Sequence, residues 1–178
     1  AAPTKGCAPL TVHFTNLSRN VNYETCTFKW NFGPGQAMSN AINPVYTYYE
    51  PGTYSVRLEV INSHDQSDAV FKTELIEVYP SPMAAFDIRP TTVSVPDDPI
   101  FVTNFSKNAV DYYWDFGDGG YSSEPSPTHA YTDTGSYDIT LVAVSDRGCK
   151  DTTTMEKVVH VINGNKIRIP NAFTPSLD

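Results

Sequence analysis

The sequence predicts an all-β chain that folds as two tandem β-sandwiches. Three observations support this: a set of motifs that occurs twice, a two-residue alternation of apolar and polar side chains, and a composition suited to strands and turns. The 178 residues include 14 Pro, 11 Tyr and 10 Gly, and only 18% are charged, against about a quarter in ordinary globular chains. No segment shows the 3.6-residue periodicity of an amphipathic helix. We therefore expect strands and turns throughout.

The repeat determines the number of domains. Its paired blocks are Asn16-Leu17-Ser18 with Asn104-Phe105-Ser106, Trp30-Asn31-Phe32-Gly33 with Trp114-Asp115-Phe116-Gly117, Asn43–Tyr48 with Ser126–Tyr131, and Gly52–Leu58 with Gly135–Leu141. The two copies are 88 residues apart at the first block, 84 at Trp30 and Trp114, and 83 at Tyr54 and Tyr137. A separation that changes only between blocks is typical of loop-length variation on one scaffold. We predict one sandwich over 1–79, a second over 80–162, and an extended C-terminal segment over 163–178.

Alternation along each copy predicts which side chains face the core. Val56 and Leu58 alternate with polar neighbours, and Ile139 and Leu141 do the same in the second copy. A period of two between clusters of Gly, Pro, Asn and Ser is the pattern of half-buried antiparallel strands. The predicted structural core residues are Trp30, Phe32, Tyr54, Trp114, Phe116 and Tyr137.

Turn residues separate these strands. The run 117–120, Gly-Asp-Gly-Gly, predicts a tight turn because Asp and Gly tolerate positive backbone angles. Asn16 and Asn104 stand at equivalent strand ends and are each followed two residues later by Ser, which favours a backbone-capping role. Tyr54 and Tyr137 each follow a Gly by two residues, at the start of a strand after a corner. A tyrosine at such a position in an immunoglobulin-like sandwich packs its ring inward and bonds nearby backbone through its hydroxyl.

The second copy closely resembles the PKD-type (polycystic kidney disease) domain. The resemblance lies in Trp114–Gly119, Ser126–Tyr131 and Gly135–Tyr137, and it implies an immunoglobulin-like β-sandwich of cell-surface and secreted proteins. The first copy departs from the pattern, since it has Asn31, Pro34 and Tyr46 where the second has Asp115, Asp118 and His129. It also lacks a counterpart of the strand-like segment 83–90, so we expect the chain to begin inside a domain.

The C-terminal segment resembles a different family. The run 166–175, Lys-Ile-Arg-Ile-Pro-Asn-Ala-Phe-Thr-Pro, is similar to the opening of the gliding motility-associated C-terminal domain of Bacteroidetes proteins. That resemblance implies export by the type IX secretion system, and attachment at the cell surface or release from it. The residues implied to contact the outer-membrane export machinery are Ile169, Pro170, Asn171, Ala172, Phe173, Thr174 and Pro175.

Two further site hypotheses concern calcium and glycosylation. Asp115, Asp118 and Glu124 offer oxygen ligands to Ca²⁺, which some PKD domains bind, but Ca²⁺ takes about six to eight ligands. We therefore favour the alternative, in which Asp118 stabilises its turn and Asp115 is solvated, and expect no other cofactor. Asp151-Thr152-Thr153 resembles the Bacteroidetes O-glycosylation pattern, which makes Thr152 a candidate beside its alternative as a plain strand residue.

Several classes of protein are disfavoured. A net charge of −8 argues against nucleic-acid binding, and the chain has no apolar run near the roughly 18 residues of a membrane span. The four histidines are widely spaced and no catalytic motif is present, so we expect no enzyme activity. The chain has three cysteines, Cys7, Cys26 and Cys149, so at least one is unpaired within it. A strand between Cys7 and Cys26 disfavours a disulfide between those two, and we predict no other pairing.

The leading functional hypothesis is a non-catalytic stalk of a large secreted or cell-surface Bacteroidetes protein, such as a gliding-motility adhesin whose surface or polysaccharide ligand is not identified. Pro80 and Pro82 would restrict the linker between the domains. The alternative is a pair of accessory modules of a secreted hydrolase acting on polysaccharide or protein. Tyr112, Tyr113 and Tyr121 are its candidate contacts, with Tyr113 expected to point outward and Tyr112 inward by alternation from the Trp.

Overall fold

The computed structural model describes residues 1–95 and 98–164, and the predicted all-β fold class is confirmed. The predicted export contact, Ile169–Pro175, lies outside these residues. The described part contains no helix long and apolar enough to span a membrane. Its strands are β1 (Lys5–Cys7), β2 (Leu10–His13), β3 (Thr27–Asn31), β4 (Met38–Ser39), β5 (Val45–Tyr48), β6 (Gly52–Ile61), β7 (Ser67–Tyr79), β8 (Phe86–Arg89), β9 (Thr92–Val95), β10 (Ile100–Asn104), β11 (Asp111–Asp115), β12 (Tyr121–Ser122), β13 (Thr128–His129), β14 (Gly135–Val144) and β15 (Lys150–Asn163).

The first compact unit, unit 1, contains Ala1–Met83 together with Lys107–Asp111 and Ala143–Asp151. One of its sheets has the order β1-β7-β6-β3-β4, and the other pairs β2 with β5. β1 runs parallel to β7, whereas the other pairs are antiparallel. Its core consists of Leu10, Val12, Phe14, Phe28, Trp30, Phe32, Tyr48, Val56, Leu58, Ile76 and Val78.

The second unit, unit 2, contains Ala84–Ser106, Tyr112–Val142 and, among the described residues, 152–164. Its sheets have the orders β12-β11-β14-β15-β9 and β13-β10-β8, and β9 runs parallel to β15. Its core consists of Phe86, Ile88, Val93, Ile100, Val102, Trp114, Phe116, Tyr131, Ile139, Leu141, Val159 and Val161.

Strand β8 distinguishes the two sandwiches. β10 pairs with both β13 and β8, whereas its counterpart β2 pairs with β5 alone among the described strands. Sequence reasoning identified the segment containing β8 as a first strand that the first copy lacks, and β8 is confirmed at Phe86–Arg89.

A β-bulge in unit 1 was not predicted, and unit 2 has a residue of positive φ, Lys157, on its last strand. The pairing of β6 with β7 shifts register between Tyr54 and Val56, and Glu74 has φ = 50° beside this shift. The Glu74 N–H donates to Ser55 Oγ at 3.0 Å. In unit 2, Lys157 has φ = 48° and its N–H donates to Asp138 Oδ1 at 2.6 Å. Residues 73–75 of β7 stand opposite the single residue Ser55 of β6, and alternation within one strand does not reveal such a shift of register, so the sequence pattern missed this feature.

A disulfide within unit 1 joins Cys7 to Cys149, whose Cα atoms are 5.7 Å apart. Cys149 is 1% exposed, and its N–H donates to Ser145 Oγ at 3.1 Å in the turn between β14 and β15. Cys26 is free. The sequence left this pairing open because the two cysteines are 142 residues apart and nothing in their local sequence relates them.

Candidate functional site

The acidic turn of unit 2, residues 115–120, contains two of the predicted site residues, Asp115 and Asp118. Asp115 ends β11, and its Oδ1 accepts the Gly117 N–H at 2.9 Å. Asp118 Oδ1 accepts the Gly120 N–H at 2.8 Å, and the Phe116 N–H donates to Gly120 O at 3.1 Å. The tight turn predicted over 117–120 is confirmed, and both aspartates bond its backbone.

Gly117 is required by this geometry. Its φ is 79°, in the left-handed region that favours glycine, and a Cβ there would lie 2.7 Å from Asp138 O. Gly119 has φ = 90°, but a Cβ there would meet no atom within 4 Å. Alanine at Gly119 would therefore introduce backbone strain alone, whereas alanine at Gly117 would introduce both backbone strain and a steric clash.

Asp118 also bonds the side chain of His129. Oδ2 lies 2.8 Å from His129 Nε2, and both side chains are mostly buried, at 20% and 17% exposure. Burial alone would raise the pKa of Asp118, but hydrogen bonds from His129 and from the Gly120 N–H favour the charged form, so its pKa lies below the ordinary value. An ionised carboxylate only accepts hydrogen bonds, so Nε2 is the donor.

The His129 ring is packed between aromatic side chains. It stacks on Phe116 with a centroid distance of 4.1 Å and an interplanar angle of 2°, and it meets Tyr131 edge-on at 4.7 Å. The Tyr131 hydroxyl donates to Phe116 O at 3.0 Å, and burial raises the pKa of that hydroxyl. The sequence interpretation of His129 as a packed, hydrogen-bonded histidine is confirmed.

Unit 1 builds the same arrangement from different residues. Tyr46 takes the place of His129 and stacks on Phe32 at 4.3 Å. Its hydroxyl donates to Gln36 Oε1 at 2.8 Å, as His129 donates to Asp118. Asn31 Oδ1 accepts the Gly33 N–H at 2.9 Å, as Asp115 accepts that of Gly117. A neutral pair thus serves in one sandwich where a charged acceptor serves in the other, which supports a packing role.

The other predicted structural residues hold equivalent positions in the two units. The Tyr54 hydroxyl donates to Glu50 O at 2.8 Å and the Tyr137 hydroxyl to Asp133 O at 2.9 Å, which confirms the predicted tyrosine role. The indole N–H groups of Trp30 and Trp114 donate to backbone carbonyls at 3.0 and 2.9 Å. The exposures of the predicted tryptophans and phenylalanines are low: Trp30 6%, Phe32 1%, Trp114 1% and Phe116 1%.

The repeated asparagines cap turns, as predicted. Asn16 Oδ1 accepts the Ser18 N–H at 2.9 Å, and Asn104 Oδ1 accepts the Ser106 N–H at the same distance. Asn104 Nδ2 further donates to Pro125 O at 2.9 Å, whereas Asn16 Nδ2 is buried and has no hydrogen-bond partner among the described residues.

The three proposed calcium ligands lie on or near this turn. Asp115 and Asp118 use carboxylate oxygens to hold the backbone, and Glu124 accepts the Trp114 indole N–H through its backbone oxygen. Within residues 1–95 and 98–164, no group of three or more His, Cys, Asp or Glu side chains is arranged to hold a metal ion. Calcium binding stays a prediction.

One serine–histidine pair deserves comparison with a catalytic dyad. Ser136 Oγ lies 3.0 Å from His160 Nδ1, and both residues are exposed. A nucleophile–base pair works when a third group orients the base and an oxyanion site stands nearby. In the described chain His160 Nε2 has no hydrogen-bond partner, so this pair does not form a triad.

Two exposed tyrosines, Tyr113 and Tyr121, lie on one sheet face of unit 2 and are called the exposed tyrosine pair. Tyr113 is 56% exposed and Tyr121 is 74% exposed, while Tyr112 is half-buried against the core. Tyr121 pairs across the strands with Asp115, which lies two residues from Tyr113 on the same face of the sheet. The predicted orientations of Tyr112 and Tyr113 are confirmed. Thr152, the candidate glycosylation site, is exposed on β15.

Comparison with known proteins now decides the family. A family model described as the PKD domain matches residues 1–78 and again residues 80–161. The chain belongs to the PKD domain family. Its two PKD domains occur in tandem, as the repeated motifs predicted.

The curated relatives that match this chain are much longer proteins. The chain is 39% identical over 72 residues to the pre-pro-metalloprotease PrtV of Vibrio cholerae serotype O1, across 40% of this chain and 8% of PrtV. It is 38% identical over 56 residues to a microbial collagenase of Vibrio alginolyticus, across 32% of this chain and 7% of the collagenase. The chain thus spans less than a tenth of the length of these relatives.

A solved structure of a single domain is also similar. The PKD1 domain of the Vibrio cholerae metalloprotease PrtV shares 35% sequence identity, and the alignment covers 42% of this chain and 91% of that domain, with a TM-score of 0.38.

Proposed function

We propose that this chain is a non-catalytic spacer or accessory region of a larger exported protein. The observation that supports it best is the tandem PKD match, which covers residues 1–78 and 80–161. The polar side chains of the acidic turn support it as well, because the Asp118 carboxylate is engaged by His129 and the Gly120 N–H. Relatives with a PKD domain include a metalloprotease and a collagenase, in which the matched part is a small share of the whole.

In its finer form, the proposal is a stalk of a Bacteroidetes cell-surface or secreted protein of the gliding-adhesin type. Two features of the sequence favour it: the prolines of the Tyr79–Pro82 linker, and the run Ile169–Pro175 after the second domain, with its resemblance to a type IX sorting domain. The partner of that run would be the outer-membrane export machinery. The surface or polysaccharide ligand would belong to another part of the full-length protein.

Domain deletion in the full-length protein tests the stalk. One variant lacks residues 80–162 and carries Cys7→Ser, because the deletion removes the disulfide partner of Cys7. We expect export at the parental level and a shorter surface structure in electron micrographs. The matched control keeps both domains and lacks Ile169–Pro175, and it should accumulate inside the cell. Loss of export in the first variant, with its remaining domain folded by circular dichroism, would refute the spacer role.

The exposed tyrosine pair favours a second candidate function, polymer binding as an accessory module of a hydrolase. Tyr113 and Tyr121 present two large rings on one sheet face, and tyrosine supplies contact area at low conformational-entropy cost. The counterparts in unit 1 are Lys29 and Met38, since Met38 pairs with Asn31 as Tyr121 pairs with Asp115.

Those counterparts provide the control. Co-sedimentation with insoluble polysaccharide and with collagen fibres should show binding that Tyr113→Ala plus Tyr121→Ala reduces at least about tenfold, as loss of two aromatic contacts of about 1 kcal/mol each predicts. Lys29→Ala plus Met38→Ala should leave it unchanged. Equal binding by both double variants would reject the tyrosine face, and no binding by the parent chain would reject this candidate.

Glycosylation and calcium binding are proposed as minor additions. Thr152 is exposed, so a glycosyltransferase has access to its hydroxyl. Intact-mass spectrometry of protein from its own host should show a glycan mass that Thr152→Ala removes.

For calcium, titration calorimetry of the parent chain against Asp115→Asn plus Asp118→Asn is the direct measurement, and a heat of binding in the parent alone would establish the site.

A further inference from the structure

The outer edge of β7 in unit 1 is open along most of its length. β7 lies between β6 and β1 in its sheet, and it pairs with β6 from Ser67 onward. On the other edge, β1 pairs only with 77–79. Among the described residues, no strand therefore covers the edge over 67–73. A row of backbone groups on such an edge is a template for pairing with another strand.

Hydrogen bonds identify which backbone groups point outward from this edge. The Asn62 N–H donates to Gln66 O at 2.9 Å at the start of the hairpin formed by β6 and β7. Hydrogen-bonded pairs in an antiparallel ladder recur at every second residue, so those of β7 continue at even-numbered positions up to 72. The odd-numbered positions of 67–73 therefore point N–H and C=O away from β6. Ala69 agrees with this, because its N–H donates to the side chain of Asp68 at 2.8 Å.

Two exposed apolar side chains lie in the middle of the open edge. Val70 is 47% exposed and Phe71 is 60% exposed, and they lie on opposite faces of the strand. By the 83-residue separation of the copies in this region, unit 2 has Thr153 and Thr154 at these positions. Unit 1 thus exposes apolar side chains on an open edge, a combination that favours strand pairing.

The sequence of the open edge is complementary to itself when two copies run antiparallel. In one register every residue meets a partner of matching chemistry. The pairs in that register are Val70 with Val70, Ala69 with Phe71, Asp68 with Lys72 and Ser67 with Thr73. Opposite charges, apolar pairs and hydroxyl pairs each stabilise an antiparallel ladder.

Other registers lose this complementarity. Outward backbone groups meet only when odd-numbered residues pair with odd-numbered ones, so the allowed registers differ by steps of two. With Ala69 opposite itself, Asp68 faces Val70. With Phe71 opposite itself, Asp68 faces Glu74, and like charges directly opposite destabilise a ladder. The charges therefore select the register centred on Val70.

The neighbouring strand β1 leaves room for this pairing. In the selected register, Ser67 of the second copy stands opposite Thr73, and the turn 62–66 of that copy lies beyond it. β1 begins only at the position of Glu77. The positions 74–76 provide about 10 Å of strand for the turn, at about 3.3 Å per residue. β1 therefore does not block the second copy.

We propose that β7 of unit 1 binds β7 of a second copy of this chain, antiparallel and with Val70 opposite Val70. The two five-stranded sheets then join edge to edge about a two-fold axis. Asp68 leaves the Ala69 N–H and pairs with Lys72 of the second copy. The Ala69 N–H donates instead to Phe71 O of that copy. This interface does not depend on the spacer role proposed above.

Charge reversal on the whole chain tests this. We expect the parent chain to form a dimer in sedimentation equilibrium between micromolar and millimolar concentration. Asp68→Lys alone and Lys72→Asp alone each place like charges opposite one another, so each should weaken the dimer at least about tenfold. The double variant, Asp68→Lys plus Lys72→Asp, should dimerise like the parent. An equimolar mixture of the two single variants should form a heterodimer, because each then meets the opposite charge.

A matched control and a second readout locate the interface. Lys150→Asp makes the same change of charge on the corresponding strand of unit 2, β15, and should leave the dimer unchanged. Hydrogen exchange of the outward Phe71 amide should slow at least about tenfold between dilute and concentrated parent chain. The Val70 amide, which points to β6, should exchange equally in both.

Three results would overturn the proposal. A parent chain that stays monomeric up to millimolar concentration would exclude this dimer. A mixture of the two single variants without heterodimer, with both variants folded by circular dichroism, would exclude the pairing of Asp68 with Lys72. Loss of the dimer in Lys150→Asp to the same degree as in Lys72→Asp would place the interface away from β7.

Discussion

Cys7 and Cys149 are joined by a disulfide although 142 residues separate them in the sequence. Cys7 ends β1, which pairs with β7 through Cys7↔Tyr79, and Cys149 precedes β15. The Arg147 guanidinium lies 5.5 Å from the centroid of the Tyr79 ring, beside the same bond. The bond therefore closes most of the chain into one covalent loop.

Removing this bond should reduce stability substantially. Cys7→Ser plus Cys149→Ser should lower the free energy of unfolding by about 2–5 kcal/mol, because the unfolded chain regains the entropy of a very long loop. Urea denaturation followed by tryptophan fluorescence measures this. Cys26→Ser is the control, since Cys26 forms no disulfide, and it should stay within about 0.5 kcal/mol of the parent. Equal midpoints for the double variant and the control would contradict the prediction.

The two glycines of the acidic turn should respond differently to alanine. Gly119→Ala should cost about 1–2 kcal/mol, the strain of a left-handed backbone, because no atom lies near its new Cβ. Gly117→Ala should cost at least about 2 kcal/mol more, since its Cβ would lie 2.7 Å from Asp138 O and that backbone must shift. Thermal unfolding of the two variants in parallel gives the comparison, and equal losses would show that the turn relaxes freely.

Stability should depend on the ionisation of Asp118. Its pKa is lowered in the folded chain, so its contribution is complete above the ordinary pKa of 3.8 and is lost as pH falls through the lower folded value. Asp118→Asn should therefore flatten the stability profile below about pH 4 and lower stability at pH 7 by about 1–2 kcal/mol, the range of a partly exposed charged hydrogen bond. Asp65→Asn, on the exposed turn after β6, is the matched control and should keep the parental slope.

The bulge on β7 should prefer glycine. Glu74 has φ = 50°, so Glu74→Gly should raise the free energy of unfolding by up to about 1 kcal/mol. Lys72→Gly lies two residues earlier in regular pairing with Val56 and should lower it by about 0.5–1 kcal/mol. Chemical denaturation distinguishes opposite signs easily. A loss of stability in both variants would mean that the Glu74 side chain contributes more than its backbone strain costs.

Much of this fold was predictable because the sequence motifs that specify its strands and turns occur in both copies of the repeat. The alternation around Val56 and Ile139 and the turn at 117–120 follow from side-chain size and backbone freedom, so the strands, the core and the tyrosine contacts could be inferred. The Asp118–His129 bond was harder to infer, since its members are eleven positions apart in the sequence. The disulfide and the bulge were missed because each depends on long-range register, which short sequence patterns do not contain.

The covalent loop has a mechanical consequence for the spacer role proposed above. When tension is applied to the two ends, the load passes from residues before Cys7 through the disulfide to residues after Cys149. The stretch 8–148 between the two cysteines, which are 142 residues apart, is bypassed, and roughly 480 Å of possible extension at about 3.4 Å per residue is withheld. The strands between the two cysteines would then bear no load, whereas β15, which follows Cys149, would, until a reductant opened the bond and released the stored length.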